Sequence, residues 1–259
     1  MVMTHRSWLY GCALLLGCWC TAGNAQPLRS GGTLWPPFSY EDAHGNARGI
    51  AVDIASQVAM QNDLQLQFLF YPTRRLNLLL DNGSLDLNYA DSPLWNGPQA
   101  DQRFVYSQPY LTVREYLYFR TDHPARLQPL EQLNGLRIGT VRGYSYPLLD
   151  QAMASGRLKE VETSDDAVLL DLLLRERVDA IAMVDDVFVN LLAARQIAPT
   201  GFTRSAQLSE APLVIKLQLR HAERLPAVNA TLRRMMESGE VQRIRRAYLG
   251  NAADVADGR

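Results

Sequence analysis

The chain has 259 residues, of which 47% are hydrophobic, with 26 basic and 27 acidic side chains. That much apolar material fills one large core or two modest ones, which excludes a disordered chain. A formal charge of -1 with no basic block excludes nucleic acid and anionic membrane surfaces as expected partners.

Residues 1–25 differ from the rest: Arg6, an apolar run from Trp8 to Cys20, then small residues up to Ala25. This is the pattern of a secretory signal peptide cleaved after Ala25, its apolar stretch too short for a stable membrane anchor. Cys12, Cys18 and Cys20 are the chain's three cysteines and all lie inside it. The mature chain is therefore expected to carry no thiol and no disulfide. A second reading stays open, because Leu15-Leu16-Gly17-Cys18 looks like a lipoprotein signal in which Cys18 would carry lipid.

A short strand is expected to end at Trp35, where Pro36 and Pro37 forbid a helix. The Gly45 to Gly49 turn then hands over to an amphipathic helix with Ile50, Ile54 and Val58 on its apolar face. Leu64, Leu66, Phe68 and Phe70 alternate as a strand that stops at Pro72. Thr73 is expected to cap a helix burying Leu76, Leu79 and Leu80, with Gly83 closing it and Leu85 to Ala90 forming the next strand. Strand, helix, strand with short links predicts a parallel sheet. Residues 91–103, with Pro93, Gly97 and Pro98, read as a loop, and Glu115 to Arg120 as a strand leaving this first unit.

A second alternation follows. It comprises a short helix over 127–133, a strand over Arg137 to Val141, a turn at Arg142-Gly143-Tyr144-Ser145, a helix to Ala154 and a strand from Leu158 to Val161. Ser164 is expected to cap a helix burying Leu169, Leu170 and Leu173; Val178 to Val184 forms a strand, and Asp185 opens the next helix. Ala211 to Arg220 alternates as a returning strand before a last helix pair from Leu225 to Leu249. The expected fold is α/β, a two-lobed clamshell in which each lobe is a mainly parallel sheet flanked by helices. Residues 26–117 with 213–259 would form lobe 1 and residues 118–212 lobe 2, with crossovers near 116–120 and 210–215.

Several short motifs in this order carry a family resemblance. They are Trp35 before Pro37-Phe38, Gly45, Val52-Asp53-Ile54, Gly83-x-Leu85-Asp86, Ser107-x-Pro109-Tyr110, Ile138-Gly139-x-Val141-x-Gly143, Val178-Asp179-Ala180-Ile181, Val228-Asn229-x-x-Leu232 and Tyr248-Leu249-Gly250. Together they resemble the periplasmic solute-binding proteins, in particular the polar-amino-acid branch of the type II fold, solute-binding family 3. The resemblance implies a periplasmic, monomeric receptor for a small-molecule ligand, with the membrane subunits of an ABC importer as partner and no cofactor or metal.

The resemblance also implies site residues. Trp35 would lie over the ligand with Phe38 nearby, although both could be core aromatics. The arginine that clamps an α-carboxylate stands seven residues before the Ser of Phe-Ser-x-Pro-Tyr; here that position is Ala100, with Arg103 closer to Ser107. The acid for an α-amino group would fall at Val184, so Asp185 is its candidate substitute, or merely a helix cap. Arg75 is a second candidate for an anionic group; Asp91 and Ser92 at a strand end, and Arg142, Tyr144 and Ser145 in the second-lobe turn, complete the expected ligand-binding set. A rival class is a periplasmic enzyme of the cyclohexadienyl dehydratase type, with Asp91 or Asp185 as its acid. An orphan or sensory binding protein is a third. His5, His44, His123 and His221 lack metal-ligand spacing, and no Gly-x-Ser-x-Gly or phosphate loop is present.

Overall fold

A computed structural model describes residues 26–250. The signal peptide, its cleavage site, the three cysteines and residues 251–259 lie outside them. The first half of the chain runs β1 (Leu28–Gly32), the short pair β2 (Tyr40–Glu41) and β3 (Ala47–Arg48), α1 (Ile50–Gln61), β4 (Leu66–Phe70), α2 (Thr73–Asp81), β5 (Leu87–Asp91), β6 (Phe104–Tyr106) and β7 (Leu111–Arg120). The second half runs β8 (Arg137–Val141), α3 (Pro147–Ala154), β9 (Lys159–Thr163), α4 (Asp166–Leu174), β10 (Ala180–Val184), α5 (Asp185–Ala194), β11 (Phe202–Gln218), α6 (Leu225–Glu237) and α7 (Glu240–Leu249).

Two parallel sets result. β1 lies between β4 and β5, parallel to both, and β8 lies between β9 and β10 in the same way. β11 joins them: its C-terminal end runs antiparallel to β5 and β6, and its longer N-terminal part antiparallel to β7, which also pairs with β10. The molecule is therefore two-lobed, each lobe a sheet flanked by helices, with β7 and β11 passing between the lobes.

The apolar periodicity explains the packing. Ile50, Ile54 and Val58 of α1 are buried with Val228 and Leu232 of α6. On the opposite face of the first sheet, Leu76 and Leu80 of α2 pack on Leu85 and Phe104. In the second lobe Ile138, Leu149, Leu158 and Phe119 close a separate cluster. Behind the lobes, Arg245 of α7 donates to both carboxylate oxygens of Asp186 in α5, at 3.0 and 2.7 Å, with both side chains almost fully buried.

Four expectations are corrected. Pro72 holds the position before α2, so Thr73 is the first helical residue and its hydroxyl makes no cap. Asp165, not Ser164, caps α4: its carboxylate accepts from the Val168 amide at 3.1 Å, and a charged acceptor suits the positive end of a helix better than a hydroxyl. The helix expected over 127–133 shrinks to a single 3₁₀ turn at Leu130–Gln132, since Pro129 has no amide hydrogen to give. The returning strand begins at Phe202, well before the expected Ala211.

The loop carrying Trp35 is tied to α1. The amides of Ile50 and Ala51 donate to the carbonyls of Pro37 and Phe38, both at 2.9 Å, so the first amides of the helix secure this loop. Gly49 makes the junction possible. Its φ is +127°, and a Cβ there would sit 2.3 Å from the Phe38 carbonyl oxygen. Gly49→Ala is therefore expected to destabilise the protein by at least about 2 kcal/mol in urea unfolding, combining backbone strain with a backbone clash. Gly45→Ala, at positive φ but with no neighbour within 4 Å, should cost only about 1 kcal/mol.

Candidate functional site

Between the lobes lies a cavity of about 110 Å³. Lobe 1 supplies Thr33, Trp35 and Ser39 from the loop after β1, Thr73 and Asn77 from α2, Asn88 and Asp91 from β5, and Trp95 and Asn96 from the following turn. Gly143, Tyr144 and Ser145 after β8, and Val184 at the end of β10, close it from lobe 2. Glu115 of β7 and Ser209 of β11 complete the lining from the two connecting strands. These positions lie at strand ends and helix starts, where ligands bind in open α/β sheets. The lips meet: a Cβ on Gly143 would stand 3.2 Å from Arg74 Cγ and 3.5 Å from Thr73 Cβ across the cleft.

Trp35 is held from behind. Phe38 stacks on it with centroids 4.4 Å apart, and Trp95 meets it edge-on at 6.2 Å. The indole is 6% exposed, and its Nε1–H is buried without a hydrogen-bond partner among the described residues. A buried donor left open in this way is costly unless something else accepts from it.

Asp91 lines the cavity, but its charge is already answered. Lys216 Nζ stands 3.1 Å from Oδ2, and the Asn88 amide, the Asn96 amide and the Ser92 backbone N–H donate to the carboxylate at 3.2, 2.8 and 2.7 Å. Lys216 also donates to Asn96 Oδ1 at 2.5 Å and lies 4.3 Å from the Phe104 ring centre. The pair is buried on both sides and fully hydrogen-bonded, as such a pair must be to persist.

Glu115 is different. It is 8% exposed, its register neighbours are Val184 and Ser209, and it accepts from Ser209 Oγ at a long 3.4 Å. Burial pushes its carboxyl up to about 8, with the nearby Asp166 adding to the rise and Ser209 opposing it. Asp166 at the start of α4 is itself pushed up to about 7 by burial and by Asp165, and accepts from Tyr144 Oη at 3.5 Å.

The expected site residues divide. Trp35, Asp91, Tyr144 and Ser145 come together in the cavity. Phe38 is fully buried under Trp35 and does not reach it. Arg75 is exposed over the Tyr71 ring at 5.2 Å: helical spacing turns Thr73, Leu76 and Asn77 to the cleft and Arg75 elsewhere. Ser92 caps the turn at Pro93–Trp95 through the Leu94 amide. Arg103 pairs with Asp81 at 2.9 Å, and Ala100 is packed among Leu76, Leu80 and Phe104. Arg142 pairs with Glu162 at 3.2 Å on the surface. Asp185 turns away from the cavity, accepting from Tyr118 Oη and, at 2.7 Å, from Arg204; burial raises its pKa while these partners oppose the rise. Glu115, Asn77, Asn88, Trp95 and Asn96 were not expected. For Glu115 the signal is present in the chain: Leu111, Val113, Glu115 and Leu117 share one strand face, and a carboxylate in an inward register asks for a reason.

The sequence matches the family model of bacterial extracellular solute-binding proteins, family 3, over residues 30–251. The chain belongs to that family. It is 23% identical over 229 residues to the L-cystine-binding protein TcyJ of Escherichia coli (strain K12), covering 85% of this chain and 80% of that protein. Its fold is similar to that of an ancestral arginine-binding protein bound to arginine, with a TM-score of 0.73, 20% identity, and coverage of 86% of this chain and 98% of the other. It is also similar to the ancestral amino-acid-binding protein AncCDT-1, a precursor of cyclohexadienyl dehydratase, with a TM-score of 0.70, 19% identity, and coverage of 86% and 95%. Members of this family are periplasmic solute-binding proteins, and among the described residues no helix is long and apolar enough to cross a membrane.

Two outcomes are expected of this site. Lys216→Met removes one half of a buried pair and should cost about 3–5 kcal/mol in urea unfolding. Glu115 binds its proton more tightly folded than unfolded, so its stabilising contribution is full below its unfolded pKa near 4.5 and is lost as pH rises through about 8. Glu115→Gln should therefore melt above wild type at about pH 8 and like it at about pH 4, read by thermal unfolding.

Proposed function

We propose that this protein is a non-enzymatic periplasmic receptor that closes its two lobes on one small polar solute, of amino-acid size and related chemistry, and presents it to the membrane subunits of an ABC importer. The observation that carries the reading is the cavity itself: lobe 1, lobe 2 and the two connecting strands each contribute to a single lining, and the lips meet at Gly143 and Thr73. The family match and the amino-acid ligands named for its relatives support the same reading. The protein works as a soluble monomer released by cleavage after Ala25. Lobe 1 comprises residues 26–117 and 213–259 and lobe 2 residues 118–212, hinged near 116–120 and 210–215. The slips in the β7–β11 register between Arg204 and Ser209, opposite Tyr118 to Glu115, support hinging of this ribbon, since irregular pairing bends more easily than a continuous ladder.

One feature favours a second reading. A carboxyl with its pKa near 8 in a cleft is what a general acid needs, so Glu115 suits a lyase of the dehydratase type. Cyclohexadienyl acids are anions, however, and no Lys, Arg or His is among the described residues lining the cavity to hold one. Binding is the better use of the site.

The test is a thermal-shift screen of the mature protein against amino acids, amines, polyamines and small carboxylates, since a ligand of the folded state alone raises the melting temperature. Small-angle scattering should then show a compact form that persists with the bound solute and a more open form without it. Trp35→Ala should weaken binding by about 2 kcal/mol, as expected of a central aromatic anchor, by calorimetry. Absence of any stabilising solute together with aromatic product from a cyclohexadienyl acid would favour the enzyme.

A further inference from the structure

We infer that the solute held in this cleft carries a cationic head seated on Glu115 and needs no carboxylate. This deepens the receptor reading and rests on it. Asp91 is matched within the protein by Lys216, but Glu115 is not matched: its hydrogen bond comes from Ser209 Oγ at 3.4 Å, and it has no ion pair among the described residues. Every element against it has the same character. β10 offers Val184, β11 offers Ser209, α4 brings the carboxyl of Asp166, and the turn after β8 brings the neutral phenols of Tyr144 and Tyr146.

A carboxylate entering beside Glu115 and Asp166 would lose its hydration with no cationic side chain in the lining to replace it. An ammonium or guanidinium group instead meets an unanswered carboxyl and the aromatic walls of Trp35, Trp95 and Tyr144, surfaces that attract cations. The ligand class is therefore a small organic cation.

With burial raising the Glu115 carboxyl to about 8, a cation seated on it at neutral pH displaces a proton. Affinity should then rise with pH below about 8, approaching tenfold per pH unit while the ligand stays charged.

The experiment compares decarboxylated amines with their parent amino acids on the mature protein by calorimetry: agmatine with arginine, tyramine with tyrosine, histamine with histidine and cadaverine with lysine. At least one amine is expected to bind ten times or more tighter than its parent, with affinity rising from pH 6 to 8 and proton release measurable between buffers of different ionisation enthalpy. Glu115→Gln should lose that binding about a hundredfold while keeping its fold, and Glu115→Asp should restore part of it. If Glu115→Gln does not fold, the pH dependence and proton release of the wild type decide. Equal or tighter binding of the parent amino acids, or amine binding that ignores pH and the Gln substitution, overturns the cationic class and leaves the receptor reading standing. Failure of every amine, amino acid and carboxylate to bind or to compact the protein overturns both.

Discussion

The antiparallel pairing of β7 with β11 is the constraint on which the rest depends. It carries the chain from one parallel set to the other and back, so both lobes hang from one two-stranded ribbon, from Leu111 opposite Leu213 to Arg120 opposite Phe202. The ribbon must be apolar where it crosses the interior, and Leu111, Val113, Leu117 and Phe119 comply. Glu115 does not, and it stands where the ribbon forms the floor of the cleft. A charged side chain at that point costs stability, which folded proteins tolerate most readily where it serves a ligand.

The two acids of the cleft show how environment separates groups of the same chemistry. Asp91 and Glu115 both line one cavity and both are buried. Asp91 is surrounded by donors drawn from β5, from its own turn and from Lys216 across the β5–β11 pairing, so its role is internal: it fixes the turn that presents Trp95 and Asn96. Glu115 faces hydroxyls, an aliphatic side chain and another carboxyl. The protein has thus partnered one acid internally and left the other open, which turns a shared cavity into a directional one.

Much of the architecture was legible because it follows from periodicity. The alternation of Phe68 and Phe70, the helical spacing of Ile50, Ile54 and Val58, and the glycine at 49 act through local geometry that a sequence displays directly. The site was less legible because it depends on which way each side chain turns. Val184 faces the cavity and Asp185 does not, since neighbouring residues at a strand end point to opposite sides. Arg75 and Arg103 are arginines close to the right place along the chain, yet one lies over Tyr71 and the other on Asp81. Lys216 could be noticed as one of only two lysines, but its partner Asp91 is 125 positions away, and only the β5–β11 register brings them together.

The meeting of the lips at Gly143 bears on what shape of molecule can be enclosed. The contact is made by bare backbone against the start of α2, and Gly143, with φ of +86°, presents no side chain that could swing aside. The cleft therefore has no side opening at this point through which a long molecule could trail. A solute extending past Ser145 would act as a wedge, holding Gly143 away from Thr73 and leaving the lobes ajar. Closure thus measures length as well as chemistry: a chain too long for the chamber could touch the same aromatic walls and still never be shut in.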